Sequence, residues 1–212
     1  MKIIVAAATS FEIQPTINTS VNSNVQFLVT GIGMLATAVS ITQLVLQQQP
    51  SIIIQAGIAG TFNTNLPLGK VVAINSETIG DLGVQENDRW KDVFDLKLID
   101  ANSAPFTNKQ LLNPYLAQLN PLGLEEVPAI TVNEISTNQQ RISQLRATYN
   151  PTIESMEGAA LHYICNSFHV PYIQLRSISN YIGERDKNKW QMQQAITNLN
   201  EALKAMLQQL LS

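Results

Sequence analysis

Two polar side chains directly follow apolar runs of this chain, in the position where active-site residues of α/β proteins are commonly found. Asn180 ends the segment Arg176-Ser-Ile-Ser-Asn180, after the apolar run 170–175. Glu12 similarly follows the apolar run 2–8. Ligands of open α/β sheets bind outside the carboxyl ends of the strands, so both side chains are predicted to face a pocket. There a carboxylate can activate water, although a lone glutamate is more often a charge at a helix start.

The segment Glu154-Ser-Met-Glu-Gly158 carries two further carboxylates at a predicted strand-to-helix transition. A carboxylate accepts hydrogen bonds from two vicinal hydroxyls at once, which is how acidic residues recognise ribose. Both acids also suit the first turn of a helix, where the helix dipole stabilises negative charge. We therefore expect only one of Glu154 and Glu157 to face a site.

Glycines mark two other segments. Thr30-Gly-Ile-Gly33 follows a predicted strand and opens a helix, as in dinucleotide-binding proteins, but no acidic residue lies about twenty positions further on to hold a ribose. Close packing, or an anion near the helix start, is the better interpretation. The glycines of Gln55–Gly60 end an apolar strand, where they form either a plain turn or a backbone surface against a ligand.

The remaining reactive side chains are weaker candidates. His162, Cys165 and His169 lack the spacing of a known zinc site, and packing roles are favoured over a Cys–His nucleophile. We expect no metal and no cofactor. The charged run 184–190 is either a solvated helix start or a binding surface, in which Trp190 stacks on a ligand and a cation meets an anion. The candidate cations are Arg185, Lys187 and Lys189.

Strand and helix patterns alternate along the chain, which predicts one α/β domain over residues 1–212. Periodicity is weak between residues 80 and 126. The predicted strands are 2–8, 25–30, 51–56, 70–79, 129–133, 152–155 and 171–179. The predicted helices are 33–49, 108–119, 137–149 with a Thr137 cap, 156–168 and 187–211.

Composition narrows the class of partner. Hydrophobic residues make up 45% of the chain and charged residues 14%, and the net charge of −3 comes without a basic cluster. These features argue against nucleic acid or an anionic membrane as partner and favour a small molecule. The lone Cys165 fits a reducing compartment, and the N-terminal apolar run is at the lower length limit of a signal peptide. No run reaches the length of a membrane span, so we expect a cytoplasmic protein.

Five segments, in order over nearly the whole chain, resemble the nucleoside phosphorylase/nucleosidase superfamily. The resemblance is closest to its hydrolytic branch, the methylthioadenosine/S-adenosylhomocysteine nucleosidases and the futalosine hydrolases. It implies a three-layer α/β fold, with a central mixed β-sheet flanked by helices, and cleavage of the bond between C1′ and purine N9. The matching segments are Met1–Glu12, Gly31–Gly33, Ala56–Gly60, Glu154–Ala160 and Arg176–Asn180.

The resemblance also implies residue roles. Glu12 matches the acid that activates water, and Asn180 matches the residue that faces purine N7. Arg176 and Ser179 are expected to orient the water and the side chain at position 180, and Trp190 to lie near the 5′ substituent. The implied substrate-binding residues are Ala59, Gly60, Ile135, Met156, Glu157, Arg176, Ser179, Arg185 and Trp190.

Asn180 departs from the adenine-specific members, which have an aspartate there. A protonated aspartic acid can donate to N7 of adenine, whereas an asparagine has no transferable proton. Its NH₂ can instead donate to O6 of a 6-oxopurine while its carbonyl accepts from a protonated N7. Asparagine also pairs with adenine in DNA recognition, but that geometry does not protonate the leaving base. The position favours hypoxanthine or guanine.

Hydrolysis is favoured over phosphorolysis because the N-terminal loop offers Glu12 and no arginine to hold phosphate. This combination suits futalosine hydrolysis, which releases hypoxanthine in a menaquinone pathway. Ile58 is a further departure, because adenine-specific relatives often have a polar residue there. The alternatives are a methylthioadenosine/S-adenosylhomocysteine nucleosidase and a non-catalytic nucleoside-binding subunit. The resemblance also suggests a homodimer or higher homo-oligomer, with a neighbour's loop closing the 5′ pocket.

Overall fold

The computed structural model describes residues 1–20, 22–87 and 89–212. Within these ranges the chain forms ten strands and six α-helices. The strands are β1 (Ile3–Ala7), β2 (Val25–Val29), β3 (Ile52–Thr61), β4 (Val71–Ile79), β5 (Gly83–Glu86), β6 (Arg89–Asp92), β7 (Leu111–Leu112), β8 (Glu126–Thr131), β9 (Ile153–Ser155) and β10 (Tyr172–Tyr181). The helices are α1 (Ser10–Ile17), α2 (Met34–Gln48), α3 (Leu116–Leu119), α4 (Gln139–Tyr149), α5 (Gly158–Phe168) and α6 (Met192–Leu211).

The central sheet is mixed, as predicted. β2, β1, β3 and β10 are parallel neighbours, and β4, β8 and β9 are parallel to one another. Antiparallel pairing joins β10 to β4 and β3 to β9, so that β3, β10, β4, β8 and β9 form a closed ring of strands. The long strand β3 lies in both parts of the sheet, because it pairs with β1 early in its length and with β9 at its end.

Helices cover both faces of the sheet, and the alternation of side chains along β1 shows the division. Val5 packs in a core cluster with Leu203 and Met206 of α6. Its neighbour Ala6 packs on the opposite face with Ile41 of α2 and Leu161 of α5. Since successive side chains of a strand point to opposite faces, both faces of β1 must be apolar, which explains its uninterrupted hydrophobic run.

Two predicted helices differ from the structure. Residues 108–119 are not one helix, because Leu111 and Leu112 pair with β4 and only Leu116–Leu119 is helical. Leu111 is buried by this pairing, so its apolar spacing reflects a strand contact rather than a helix face. The last helix begins at Met192, after a separate 3-10 turn at Lys187–Lys189.

The cap of α4 is Asn138 rather than Thr137. The Asn138 side chain accepts hydrogen bonds from the backbone N–H groups of Gln140 and Arg141, as a good N-cap residue does. Two elements were not predicted at all: the helix α1, and the hairpin of β5 and β6 inside the weakly periodic region. Among the helices that the structure describes, none combines the length and apolar character that a membrane crossing requires.

Candidate active site

A cavity of about 480 Å³ opens where β3 and β10 end and where β1 and β9 give way to helices. These four chain segments are far apart in sequence and are brought together by the sheet register. The predicted site residues that line the cavity are Glu12, Ala59, Gly60, Ile135, Met156, Glu157, Ser179, Asn180 and Trp190.

Glu12 is held in place by three donors. Its Oε2 accepts hydrogen bonds from the backbone N–H and the hydroxyl of Thr9, each at 3.0 Å. Its Oε1 accepts from the backbone N–H of Ile58 at 3.1 Å. Glu12 therefore belongs to the capping box of α1 and also lines the cavity. Three fixed donors hold the carboxylate in a single orientation.

Glu157 is anchored from two sides. Its Oε1 accepts from the backbone N–H of Gly33 at 3.1 Å, and its Oε2 lies 3.4 Å from both Nη atoms of Arg176. Gly33 is the N-cap residue of α2 and has a φ of 91°, a conformation that favours glycine. The predicted anion near this helix start is thus a carboxylate of the chain itself.

Arg176 has a different place from the one predicted. It is 2% exposed and, among the residues that the structure describes, it is not part of the cavity lining. Its guanidinium contacts Glu157 and donates to Gln55 Oε1 at 3.2 Å. Gly57 permits this position, because a methyl group there would lie 2.5 Å from Arg176 Nη1. Arg176 therefore holds the Glu157 carboxylate in position.

Asn180 lies at the opposite side of the cavity, on the end of β10. Its Oδ1 accepts from the Ser179 hydroxyl at 2.8 Å, and its Nδ2 donates to the carbonyl of Tyr181 at 3.2 Å. A carbonyl can only accept, so these contacts fix which amide atom is nitrogen. Each amide atom keeps capacity for one more hydrogen bond, Nδ2 as a donor and Oδ1 as an acceptor.

Gly60 forms the floor beside Asn180. A methyl group on Gly60 would collide with the Ile182 side chain and lie 3.2 Å from Asn180 Nδ2. Glycine therefore leaves room for a flat ligand to approach the backbone next to the amide.

Glu154 also lines the cavity, so the expectation that only one of the two acids faces the site is wrong. The Glu154 Oε1 accepts from the backbone N–H of Ser136 at 3.0 Å. Burial raises the pKa of Glu154, and the Ser136 hydrogen bonds oppose that rise. The spacing of three residues between Glu154 and Glu157 spans the end of β9 and the start of α5, so both carboxylates reach one cavity.

The structure adds residues that sequence reasoning missed. Phe11, Ile32 and Met192 are large apolar side chains that remain well exposed while lining the cavity. Phe11 could have been found from its position next to Glu12, but Ile32 and Met192 carry no local signal. The lining residues that were not predicted are Ala8, Thr9, Phe11, Ile32, Ile58, Glu154, Ser155, Ile182 and Met192.

The charged run at the start of the last helix only partly reaches the cavity. Trp190 lines it and donates from Nε1 to the carbonyl of Glu184 at 3.1 Å. Lys189 pairs with the Glu184 carboxylate at 2.8 Å, and Arg185 is exposed. Within the described ranges, Arg185 is not part of the lining, so its predicted ligand contact is not supported.

The histidine and cysteine segment lies away from the cavity. His162 and Cys165 are both buried in the helix α5, and burial raises the pKa of the Cys165 thiol above its ordinary range. A buried thiol of this kind packs as a small apolar side chain. Among the described residues, no cluster of histidine, cysteine or acidic side chains has the size of a metal site.

Comparison with known proteins decides the family. The model of the Phosphorylase superfamily matches residues 12–211. The chain belongs to this superfamily. The match covers every cavity-lining residue except Ala8, Thr9 and Phe11.

Relatives within the superfamily are distant. Futalosine hydrolase of Thermus thermophilus is 26% identical over 183 residues, covering 85% of this chain and 80% of the relative. The 5′-methylthioadenosine/S-adenosylhomocysteine nucleosidase of Haemophilus ducreyi is 27% identical over 163 residues, covering 75% and 68%. A crystal structure of the corresponding nucleosidase of Helicobacter pylori matches with a TM-score of 0.81 at 18% identity and covers 99% of this chain and 98% of that one. At that identity the structural match shows the fold alone, which is the α/β fold described above.

Proposed function

We propose that this chain is a hydrolase that cleaves the N-glycosidic bond of futalosine and releases hypoxanthine. The observation that carries the proposal is an asparagine at the base end of a cavity whose charged lining residues, among those described, are carboxylates. The general type of reaction rests on more than this cavity. The matched relatives are named as a futalosine hydrolase and a nucleosidase, and the chain is a nucleoside-cleaving hydrolase of this kind.

In the proposed cleavage step, each carboxylate has one role. Glu12 accepts a proton from water as the water oxygen bonds to C1′, and the electron pair of the C1′–N9 bond leaves with the purine. Glu157 accepts hydrogen bonds from the 2′ and 3′ hydroxyls, with its orientation set by Gly33 and Arg176. The transition state is an oxocarbenium-like sugar, so the carboxylates also stabilise its positive charge.

Asn180 supports a 6-oxopurine as the leaving group. Its free Nδ2 hydrogen can donate to O6, where negative charge develops as the base departs. As the base leaves, N7 takes a proton from solvent water, and Asn180 Oδ1 can accept from the resulting N7–H while retaining the Ser179 hydrogen bond. Adenine needs a proton donor at N7 and offers an amino group in place of O6, so it fits this pair of groups poorly.

Electrostatics supports water rather than phosphate as the nucleophile. Glu12, Glu154 and Glu157 all line the cavity, whereas Lys and Arg are absent from the lining within residues 1–20, 22–87 and 89–212. A phosphate needs cationic or backbone donors, and three carboxylates repel it. Water carries no charge and is tolerated beside Glu12.

We place the 5′ substituent against Phe11, Ile32 and Met192, the large apolar side chains of the lining that remain well exposed. The futalosine side chain is aromatic and ends in a carboxylate, so its ring can pack on this surface and on Trp190. Its carboxylate then points away from the lining toward solvent, where the exposed charged run before Trp190 offers Arg185 and Lys187 as candidate partners. The same apolar surface suits an alkylthio group, which makes methylthioadenosine the second candidate substrate.

The direct test is turnover of both candidate substrates. We expect purified protein to release hypoxanthine from futalosine in the absence of phosphate, with free sugar as the second product. Chromatography of the products separates the outcomes. Adenine release from methylthioadenosine with futalosine untouched would establish the second candidate, a sugar phosphate would establish phosphorolysis, and tight nucleoside binding without any turnover would support a non-catalytic subunit.

Asn180→Asp tests the base contact. We expect the variant to lower kcat/KM for hypoxanthine nucleosides and to raise it for adenine nucleosides, shifting their ratio by roughly 10- to 100-fold, because one hydrogen bond to the leaving base is exchanged. Asn65→Asp, an exposed change of the same chemistry, is the control. An unchanged ratio would show that Asn180 does not select the base.

We also propose a homo-oligomer. The outer face of α2 exposes Leu35, Val39 and Leu46, at 79%, 51% and 64% of their surface. Ile32, just before this helix, is 64% exposed and lines the cavity, so the apolar surface runs to the cavity mouth. An apolar surface of this kind is typical of an interface, and a second copy placed there would border the 5′ end.

A further inference from the structure

Asn200 is a buried polar residue in the middle of α6. It is 2% exposed and, among the residues that the structure describes, the buried face of α6 is apolar apart from this one. The Asn200 Nδ2 donates to the backbone carbonyls of Glu12 and Ile196, each at 2.8 Å. Its Oδ1 accepts from the backbone N–H of Thr16 at 3.1 Å and from the Thr16 hydroxyl at 2.6 Å. Two donated and two accepted bonds use the whole capacity of an amide, so its orientation is fixed.

The two backbone groups of α1 that Asn200 joins are a hydrogen-bond pair of a regular helix. In an α-helix the N–H of Thr16 faces the carbonyl of Glu12, one turn earlier. Here the Asn200 amide bonds to both groups from another helix. Pro15 lies inside α1 directly before Thr16, and a proline in a helix removes one N–H and pushes away the carbonyl four residues earlier. The amide therefore fastens α1 where the proline weakens it.

This contact holds the backbone of the residue whose carboxylate lines the cavity. The Glu12 carboxylate accepts from Thr9 and Ile58, and the Glu12 carbonyl accepts from Asn200. A shift of the backbone at Glu12 would draw the carboxylate away from its donors. Because Asn200 contacts the carbonyl and not the carboxylate, it leaves the carboxylate free to react.

We propose that Asn200 is a positioning residue for the reaction, which keeps the Glu12 carboxylate in place by fastening the backbone of α1 next to Pro15. This inference rests on the proposed function, because it takes Glu12 to be the group that accepts a proton from water.

Asn200→Asp isolates the donation to Glu12. A carboxylate of the same size can still accept both hydrogen bonds from Thr16, but an ionised one cannot donate to the Glu12 carbonyl. Asn200→Leu, which has no donor at any pH, is the second variant. We expect both to lower kcat for futalosine hydrolysis by roughly 10- to 100-fold with KM little changed, because a misplacement of about 1 Å can cost about 100-fold in rate.

Leu203→Ala is the control for a weakened α6. It opens a cavity in the core that this helix forms with β1 and leaves the Asn200 amide in place. We expect its kcat per folded molecule to equal that of wild type, with the folded fraction measured by urea unfolding.

A double-mutant cycle shows whether the loss of rate runs through Glu12. In Glu12→Gln the side chain no longer takes the proton, so an added change at Asn200 should leave the residual rate unchanged within about 2-fold. A merely structural Asn200 would lower the rate by the same factor in both backgrounds.

The backbone amide of Ile58 reports the Glu12 carboxylate without any substrate. In nitrogen–proton NMR spectra, Glu12→Gln marks how the Ile58 resonance moves when its carboxylate partner is lost. We expect both Asn200 variants to move this resonance in the same direction, and Leu203→Ala to leave it in place.

The two measurements separate the role of Asn200 from the proposed function. If wild type hydrolyses no nucleoside, the proposed function fails, whereas a displaced Ile58 resonance in the Asn200 variants still supports the positioning of Glu12. If wild type hydrolyses futalosine, the role of Asn200 is refuted by an Ile58 resonance that stays in place, by an unchanged kcat, or by an equal loss of rate in both backgrounds.

Discussion

Replacing Glu12 by glutamine is expected to reduce kcat for nucleoside hydrolysis by roughly 10²- to 10⁴-fold, the usual contribution of a general base. Glutamine keeps the size of the side chain but cannot take a proton from water. Its oxygen can still accept from Thr9, so the fold around α1 is retained. The measurement is single-turnover hydrolysis of futalosine, accompanied by the affinity for hypoxanthine. That affinity should change little, because Glu12 is bound to Ile58 whereas Asn180, the proposed base contact, pairs with Gly60.

A second variant separates catalysis from positioning. In Glu12→Ala the carboxylate site is free for a small acid, so added formate should restore part of the rate. Formate should have no effect on Glu12→Gln, where the amide occupies the site. A Glu12→Gln enzyme with near-normal kcat would refute the assignment of Glu12 as the base. Loss of hypoxanthine affinity parallel to the loss of rate would point to a folding defect.

The central strands could be predicted because their environment is uniform. All five residues of β1 are buried, as are most residues of β3, so the chain must be apolar throughout these strands. The ends of such runs also identify the cavity, which is why Glu12 and Asn180 could be chosen from the sequence. The strand β3 nevertheless continues to Thr61. Its last part carries Gly60, which pairs with Asn180 on one side and with Glu154 on the other.

The contacts between distant segments could not be predicted. The sequence around Arg176 does not indicate that its guanidinium donates hydrogen bonds to Glu157 and Gln55, since both residues lie far away in sequence. The place of Glu154 in the cavity likewise depends on the register that pairs it with Gly60. The segment around Leu111 was wrongly predicted as a helix for the same reason, because its partner strand β4 lies more than thirty residues earlier.

Glu77 and His162 are two buried titratable groups outside the cavity lining, and Glu77 carried no signal in the sequence. Both are fully buried, and Gln174 contacts both of them. Burial raises the pKa of Glu77 from 4.5 to about 7, against the hydrogen bonds from Gln174 and Thr131. Burial lowers the pKa of His162 from 6.5 to about 4, although its Nδ1 lies 2.9 Å from the Leu111 carbonyl. Both groups are therefore neutral in the folded protein near pH 5.5.

The two pKa shifts have opposite effects on the pH dependence of stability. The raised pKa of Glu77 stabilises the fold below pH 4.5, and this contribution is lost as the pH rises to about 7. The lowered pKa of His162 stabilises the fold above pH 6.5, and this contribution is lost as the pH falls to about 4. Because one pH unit corresponds to about 1.4 kcal/mol, each contribution is about 3 kcal/mol at most. Their slopes cancel between pH 4.5 and 6.5.

Single substitutions should remove this cancellation. In Glu77→Gln only His162 remains, so the variant's own free energy of unfolding should rise by about 3 kcal/mol between pH 4 and 6.5, apart from the pH-dependent background that it shares with wild type. In His162→Asn, whose amide can still donate to Leu111, the free energy should fall by about the same amount between pH 4.5 and 7. Urea unfolding across this range measures both slopes.

His169→Asn is the matched control, because His169 is exposed in a left-handed conformation that asparagine tolerates. Variants that both follow the wild-type curve would show that the pair does not titrate as described.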